Sequence, residues 1–236
     1  MKKLAQVLIE QEKLELTEML STVFGYHIVQ LGDLADGSFM TSGPIKHRTM
    51  LTERPYYFPK ISSLVSKYSQ LPFLSNSIDA FILPHTLEMD LDASSILDEV
   101  WRTLMPQGQA FILGFNPNSL WGLVGLMKSI KKIFPWHQHF MSKRKIESCL
   151  KQSGFEIVTT KTFFYRPLVI DQTWLSRLRI LEIMGRFAWP YCGSIYLYQV
   201  QKQVACVTPM RLGWEREPNL SQVGGIQPTR RGSLSD

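Results

Sequence analysis

The chain has 236 residues, a net charge of +6 and 44% hydrophobic content, with charged residues at only 19%. That is enough apolar material for one substantial core and excludes an intrinsically disordered polymer. The positive excess sits partly in short runs (Lys128 to Lys132, Lys143 to Lys145, Arg230-Arg231), which read first as solvated faces and only second as a nucleic-acid or membrane footprint.

Cys149, Cys192 and Cys206 are scattered, odd in number and without a CxxC pair. This argues against a disulfide framework and for a reducing compartment, so the expected location is the cytoplasm. The apolar run after Lys2 and Lys3 is interrupted by Gln6 and closed by Glu10, too short and too polar for a signal peptide. Nothing approaches the ~20 uninterrupted apolar residues that a membrane span needs.

Leu4, Leu8, Leu16, Met19, Leu20 and Val23 recur at helical spacing, with Glu10, Glu12, Lys13 and Glu18 between them. The pattern predicts an amphipathic opening helix ending near Gly25. Tyr26 to Leu31 is a short apolar run closed by Gly32, a strand leading into a turn; Arg48 to Glu53 is a weaker strand, and Pro55 through Pro59 is a loop. Leu71-Pro72-Phe73 then precedes Asp79, an apolar run to Leu83 and Pro84-His85-Thr86-Leu87. A helical segment (Ile96 to Leu104), the turn Pro106-Gln107-Gly108 and the run Ala110 to Leu113 follow, ending in Gly114-Phe115-Asn116-Pro117. A crossover of that length predicts that its two flanking strands are parallel.

Further on, Leu123, Met127, Ile130 and Phe134 share one face of a basic amphipathic helix over 119–134, with Lys128, Lys131 and Lys132 off that stripe. A helix over Lys143 to Gln152 ends at Gly154, Phe155 to Thr160 is the next strand, and Thr173 to Ala188 is a second amphipathic helix. Ile195 to Val200 is the final strand; from about Thr208 the chain is rich in Pro, Gly and Arg and reads as a mobile tail. The expected division is one domain over 1–203, with insertions over 119–140 and 170–190, and a tail over 204–236. Alternating helices and short strands predict a doubly wound α/β domain, a mostly parallel sheet with helices on both faces. Ligands of such folds bind at the carboxyl ends of the strands, where strand order reverses, so the end of the first strand (Leu31-Gly32) carries most weight.

The spelling LPF…D…H-x-L…R-x-L-x-P-x-G, carried here by Leu71-Pro72-Phe73, Asp79, His85, Leu87, Arg102, Leu104, Pro106 and Gly108, resembles the later half of a class I S-adenosylmethionine-dependent methyltransferase of the type 11 family. The resemblance runs over about residues 20 to 203. It implies a Rossmann-like seven-stranded sheet and S-adenosylmethionine as cofactor. In that family the methionine part lies against a glycine-rich turn after the first strand, with acidic acceptors for the ribose and the adenine amine further on. Here Gly32 stands at the first glycine position, Leu34 at the second and Asp36 at the third, and Gln30 replaces the acidic residue two positions before the turn. Lys67 stands where the acid before Leu71 belongs.

Carried over residue by residue, the resemblance implies a cofactor site from Leu31, Gly32, Asp33, Glu53, Leu71, Pro72, Pro84, His85 and Thr86. His85 and Asn116, at the ends of the fourth and fifth strands, are the candidate catalytic residues, orienting an acceptor or removing its proton. Each has a plainer reading: a hydrogen-bonded histidine at a strand end, and an Asx turn before Pro117. Asp79 reads first as a cap for neighbouring backbone. His137 and His139 lack a third ligand at suitable spacing, so no metal is expected. The helices over 119–134 and 173–188, with Trp121, Trp136 and Trp174, would close over an apolar or aromatic small-molecule acceptor; peripheral membrane contact through Lys128, Lys131, Lys132, Arg177 and Arg179 is the second reading. Nucleic acid would require basic and stacking aromatic residues along one groove, and no such set is visible. Two functions stay open: methyl transfer by direct displacement, or a non-catalytic methyltransferase-like module in which Leu34 fills cofactor space. Oligomeric state is not legible.

Overall fold

The computed structural model describes residues 2–55, 61–88, 92–117, 119, 141–165 and 193–204. The expected helices over 119–134 and 173–188 and the tail lie outside these residues.

Helix α1 (Lys2–Leu20) opens the chain and presents Leu8, Leu16, Met19 and Leu20 to the core. Strand β1 (His27–Leu31) follows, then a 3-10 segment (Leu34–Ser42), β2 (His47–Thr52) and β3 (Ser62–Val65). Strand β4 (Ile78–Pro84), a 3-10 turn (Thr86–Glu88), helix α2 (Ala93–Thr103) and β5 (Leu104–Phe115) form the crossover predicted from sequence. Helix α3 (Lys143–Gln152), β6 (Phe155–Phe163) and β7 (Ile195–Lys202) complete the described part.

The seven strands form one sheet in the order β3-β2-β1-β4-β5-β7-β6. Every neighbouring pair from β3 to β5 is parallel, and β7 runs antiparallel to both β5 and β6. Strand order reverses between β1 and β4, which places the ligand crevice at their carboxyl ends. The sheet buries side chains on both faces. One face packs α1 and the 3-10 segment through Leu16, Leu20, Ile28, Phe39, Ile82 and Leu113. The other packs α2 and α3 through Leu31, Phe81, Leu97, Val100, Ile146 and Ile112.

Local chemistry explains the elements. Helix α2 buries Ala93, Ile96, Leu97 and Val100, the i, i+3, i+4, i+7 spacing of one helical face. Asp92 caps its start by accepting from Ser95 N at 3.2 Å. At its other end the buried Lys202 ammonium donates to the Trp101 and Leu104 carbonyls (2.7 and 2.8 Å) and lies 4.1 Å from the centroid of the Trp101 ring, a cation placed where the helix dipole is negative. Helix α3 stops at Gly154, whose φ of +84° is the left-handed cap a glycine supplies.

Helix α2 begins at Ala93 rather than at the expected Ile96 and stops at Thr103, and two further features differ from the sequence expectation. Strand β3 has all four residues exposed, so it carries no apolar periodicity to announce it. Strand β5 begins at Leu104 rather than Ala110: Leu104 pairs with Ile78 and Gln109 with Ala80, so Met105 to Gly108 bulge out around the predicted turn, with Gln107 at φ +64°.

Candidate functional site

The carboxyl end of β1 is built around Gly32. Its φ of +101° is glycine territory, and a Cβ placed there would meet nothing nearer than Thr86 Oγ1 and Tyr68 Oη, both at 3.8 Å. Gly32 N donates to Leu51 O at 2.8 Å, and Gln30 Nε2 donates to the carbonyls of Gly32 (3.1 Å) and Leu34 (2.8 Å). Gln30 therefore works as a neutral clamp on the turn, where a carboxylate could not donate to carbonyls.

Beyond Gly32 the chain does not enter a regular helix. Ala35, Asp36 and Gly37 are consecutively left-handed, with φ of 59°, 48° and 70°. Two of the three are not glycine, and each such residue costs roughly 1–2 kcal/mol. Leu34 and Ala35 are half-buried against the apolar cluster that holds α1.

Asp33 follows Gly32 directly and Glu53 follows the last residue of β2; both are exposed. The buried Tyr68 hydroxyl lies between them: desolvation raises its pKa most, with the Glu53 and Asp33 charges adding to it. Gly32, Asp33, Glu53, Tyr68 and Thr86 thus converge at the carboxyl ends of β1, β2 and β4. Thr86 Oγ1 donates to Leu31 O at 2.7 Å and ties the end of β4 to the end of β1.

Leu71 and Phe73, on either side of Pro72, are held by α2. Leu71 N donates to Glu99 Oε2 at 2.8 Å, while Arg102 donates to the carbonyls of Leu71 and Phe73, both at 3.1 Å, and pairs with Glu99 at 2.7 Å. The Leu71 amide is thereby engaged within the protein. The Glu99 carboxyl is held below its ordinary range, first by its hydrogen bond to Arg102. Asp79 caps backbone as expected, accepting from Tyr26 N and His27 N at 2.9 Å each.

His85 lies at the end of β4 beside the Pro84 terminus, 2% exposed and with φ of +57°. Its Nε2 contacts Glu12 Oε1 at 2.9 Å, its Nδ1 faces Glu88 Oε2 at 3.4 Å, and its ring stacks on Phe115 with centroids 4.2 Å apart. Burial alone would depress the imidazole pKa, but Glu12 and then Glu88 outweigh it and push it up to about 10. The two carboxylates favour the imidazolium, the one form of the ring that donates from both nitrogens. Glu88 also accepts from Phe115 N, and burial raises its own pKa. Tyr196 is buried near Glu88; its Oη has no hydrogen-bond partner among the described residues, nor does Glu12 Oε2.

Asn116 does not stand alone over the crevice. Its Nδ2 donates to Gly193 O and its N to Ser194 O, both at 2.9 Å, which fastens the end of β5 to the approach of β7. His137, His139 and the tryptophans of the expected lid lie outside the described residues. Among the described residues no group of three or more His, Cys, Asp or Glu could hold a metal. Nor is any described helix long and apolar enough to cross a membrane.

Sequence reasoning missed Glu12 and Glu88. Glu12 reads as one of the polar residues between the apolar positions of α1, yet it is 2% exposed and lies on the buried stripe Leu8, Glu12, Leu16. The four-residue spacing was the available signal: a carboxylate in a core register needs a buried partner.

Residues 45–112 match the family model for a methyltransferase domain, type 11. The curated protein YafS of Escherichia coli, itself uncharacterised, is 24% identical over 153 residues, covering 65% of this chain and 62% of that protein. The chain thus spans less than two thirds of that relative's length. Among solved structures, an S-adenosylmethionine-dependent methyltransferase from Archaeoglobus fulgidus superposes with a TM-score of 0.60 at 16% identity, over 82% of this chain and 94% of that one. A Haloferax volcanii protein complexed with the methyltransferase activator Trm112 gives 0.60 at 13% identity, over 80% and 88%. At such identities the structural likeness establishes the class I methyltransferase fold.

Proposed function

We propose that this chain, which carries a type 11 methyltransferase domain on a class I fold, binds S-adenosylmethionine at the carboxyl ends of β1, β2 and β4 and methylates a small, apolar or aromatic acceptor by direct displacement. The observation that carries this reading is the left-handed Gly32, placed at the reversal of strand order and flanked by exposed Asp33 and Glu53. The residues fit the cofactor in part. Gly32 lets a ligand approach bare backbone, Asp33 and Glu53 offer acceptors for ribose hydroxyls, and Leu31, Leu71, Pro72, Pro84 and Thr86 supply wall. Against the fit stand the engaged Leu71 amide and Lys67 in place of an acid.

Bound there, the cofactor supplies an electrophilic methyl carbon. The chain contributes alignment and exclusion of water, since displacement at carbon demands an in-line approach in a dry site. In this reading His85 shapes the end of β4 and neither touches the acceptor nor abstracts a proton, because both ring nitrogens face buried carboxylates. Asn116 acts by fixing the rim between β5 and β7. The reducing cytoplasm is the compartment assigned, consistent with the free, buried thiol of Cys149.

The second reading, a non-catalytic binding module, is favoured by one feature: the left-handed Ala35-Asp36-Gly37 turn where a regular helix would follow the glycine turn. Calorimetric titration with S-adenosylmethionine and S-adenosylhomocysteine separates the two. Micromolar binding supports the enzyme; no binding up to millimolar ligand sinks it in favour of the module.

A further inference from the structure

Helix α1 touches both halves of the proposed cofactor site through different chemistry. Its apolar face packs against Leu34 and Ala35 of the turn after β1. Its one buried carboxylate, Glu12, reaches the end of β4 and meets His85 Nε2 at 2.9 Å. His85 is a non-glycine residue in the left-handed region, a conformation that persists only where surrounding contacts enforce it. Its backbone N also donates to Leu113 O, and the next residue, Thr86, closes onto the Leu31 carbonyl beside Gly32. A continuous path therefore runs from Glu12 through His85 and Thr86 to the cradle at Gly32.

We infer that Glu12 is a positioning residue of the proposed cofactor site: acting through His85, it latches α1 and the left-handed turn onto the carboxyl end of β4, so that the cradle is complete only while the buried ion pair is made. This inference rests on the proposed cofactor reading for its ligand, but not for its mechanics. A buried pair suits a latch because breaking it leaves an uncompensated buried charge, which makes the closed and open arrangements discrete.

Among the described residues, the charged and titratable groups seen against the latch include Glu12 from α1, Glu88 from the turn after β4 and, beside Glu88, Tyr196 from β7; the Phe115 ring from β5 is a neutral wall. The imidazole pKa, raised from 6.5 to about 10, sets the sign. The latch is fully made below the unfolded value and is lost as pH rises through the folded one, so cofactor affinity falls in alkali.

The test compares wild type, Glu12→Gln, His85→Gln and the double variant by hydrogen exchange and by titration with S-adenosylhomocysteine. Each single variant is expected to raise exchange about tenfold in α1 and the turn after Gly32 while β4 and β5 stay protected. Each should weaken the ligand about tenfold, within the usual range for coupled sites, and the double variant should lose no more than either single one. Glu12→Gln should also flatten the alkaline loss of affinity, since the pair that titrates away in wild type is already absent. Wild-type protection of α1 in both single variants, multiplicative losses in the double, or loss of protection across the whole sheet would each overturn the latch. If wild type binds no S-adenosylhomocysteine, the cofactor reading fails instead, and the exchange pattern alone decides the latch.

Discussion

The two faces of the sheet solve the same packing problem with different materials. On the α2 face, Ile96, Leu97 and Val100 are fully buried against Phe81, Leu83 and Ile112, and its charged groups are paired: Arg102 with Glu99 and the Leu71 and Phe73 carbonyls, Lys202 with the end of α2. On the α1 face a glutamate sits in the middle of the apolar stripe, a histidine faces two carboxylates, and left-handed residues cluster after β1. Left-handed Ala35, Asp36 and His85 and the buried Glu12–His85 pair all lie near the strand ends where ligands of this fold bind. The α1 face adds a buried ion pair to the rim of the proposed site, while Leu31, Tyr68 and Leu71 of the α2-face core form its other side.

The largest test of this contrast is Leu97→Ala on the α2 face. Removing a fully buried leucine should cost about 2–5 kcal/mol in urea unfolding while leaving ligand affinity of the folded protein near wild type. Gly32→Ala should cost about 1–2 kcal/mol, from backbone strain at φ +101° rather than from a clash, and should weaken S-adenosylhomocysteine far more than Leu97→Ala does. Arg102→Ala should cost about 1 kcal/mol, since the guanidinium is 37% exposed and its pair with Glu99 is partly screened. Leu34→Gly removes half-buried packing against α1, so stability should drop by about 1 kcal/mol; a sharp gain in cofactor affinity would instead show that this side chain obstructs the cradle.

The gentlest probe is pH. The raised His85 pKa stabilises the fold fully below about 6.5 and withdraws that contribution as pH climbs through about 10. Melting temperature should therefore decline between those values in wild type, and His85→Gln should flatten that decline.

Much of the α2 half was legible in the sequence because its signals are local. The helical segment from Ile96 and the Pro106-Gly108 turn each act within a few residues, and the parallel pairing of β4 with β5 follows from the crossover. Gln30 was visible as a departure from the acidic family position, but its use as a double donor to the Gly32 and Leu34 carbonyls needed coordinates. The α1 half hides its logic in contacts between distant residues. Glu12 and His85 are 73 positions apart, and a strand such as Ser62–Val65, exposed throughout, has no periodic signature. Left-handed Ala35 and Asp36 are likewise invisible to propensity, with only the Asp36-Gly37 pair hinting at a turn.

The most direct test of the proposed site is amide chemical-shift mapping of the wild-type protein with S-adenosylhomocysteine. Perturbations confined to Gly32, Asp33, Glu53, Thr86 and their neighbours would agree with a cofactor at the reversal of strand order. An unperturbed spectrum at millimolar ligand, or shifts at the amino ends of the strands instead, would contradict it.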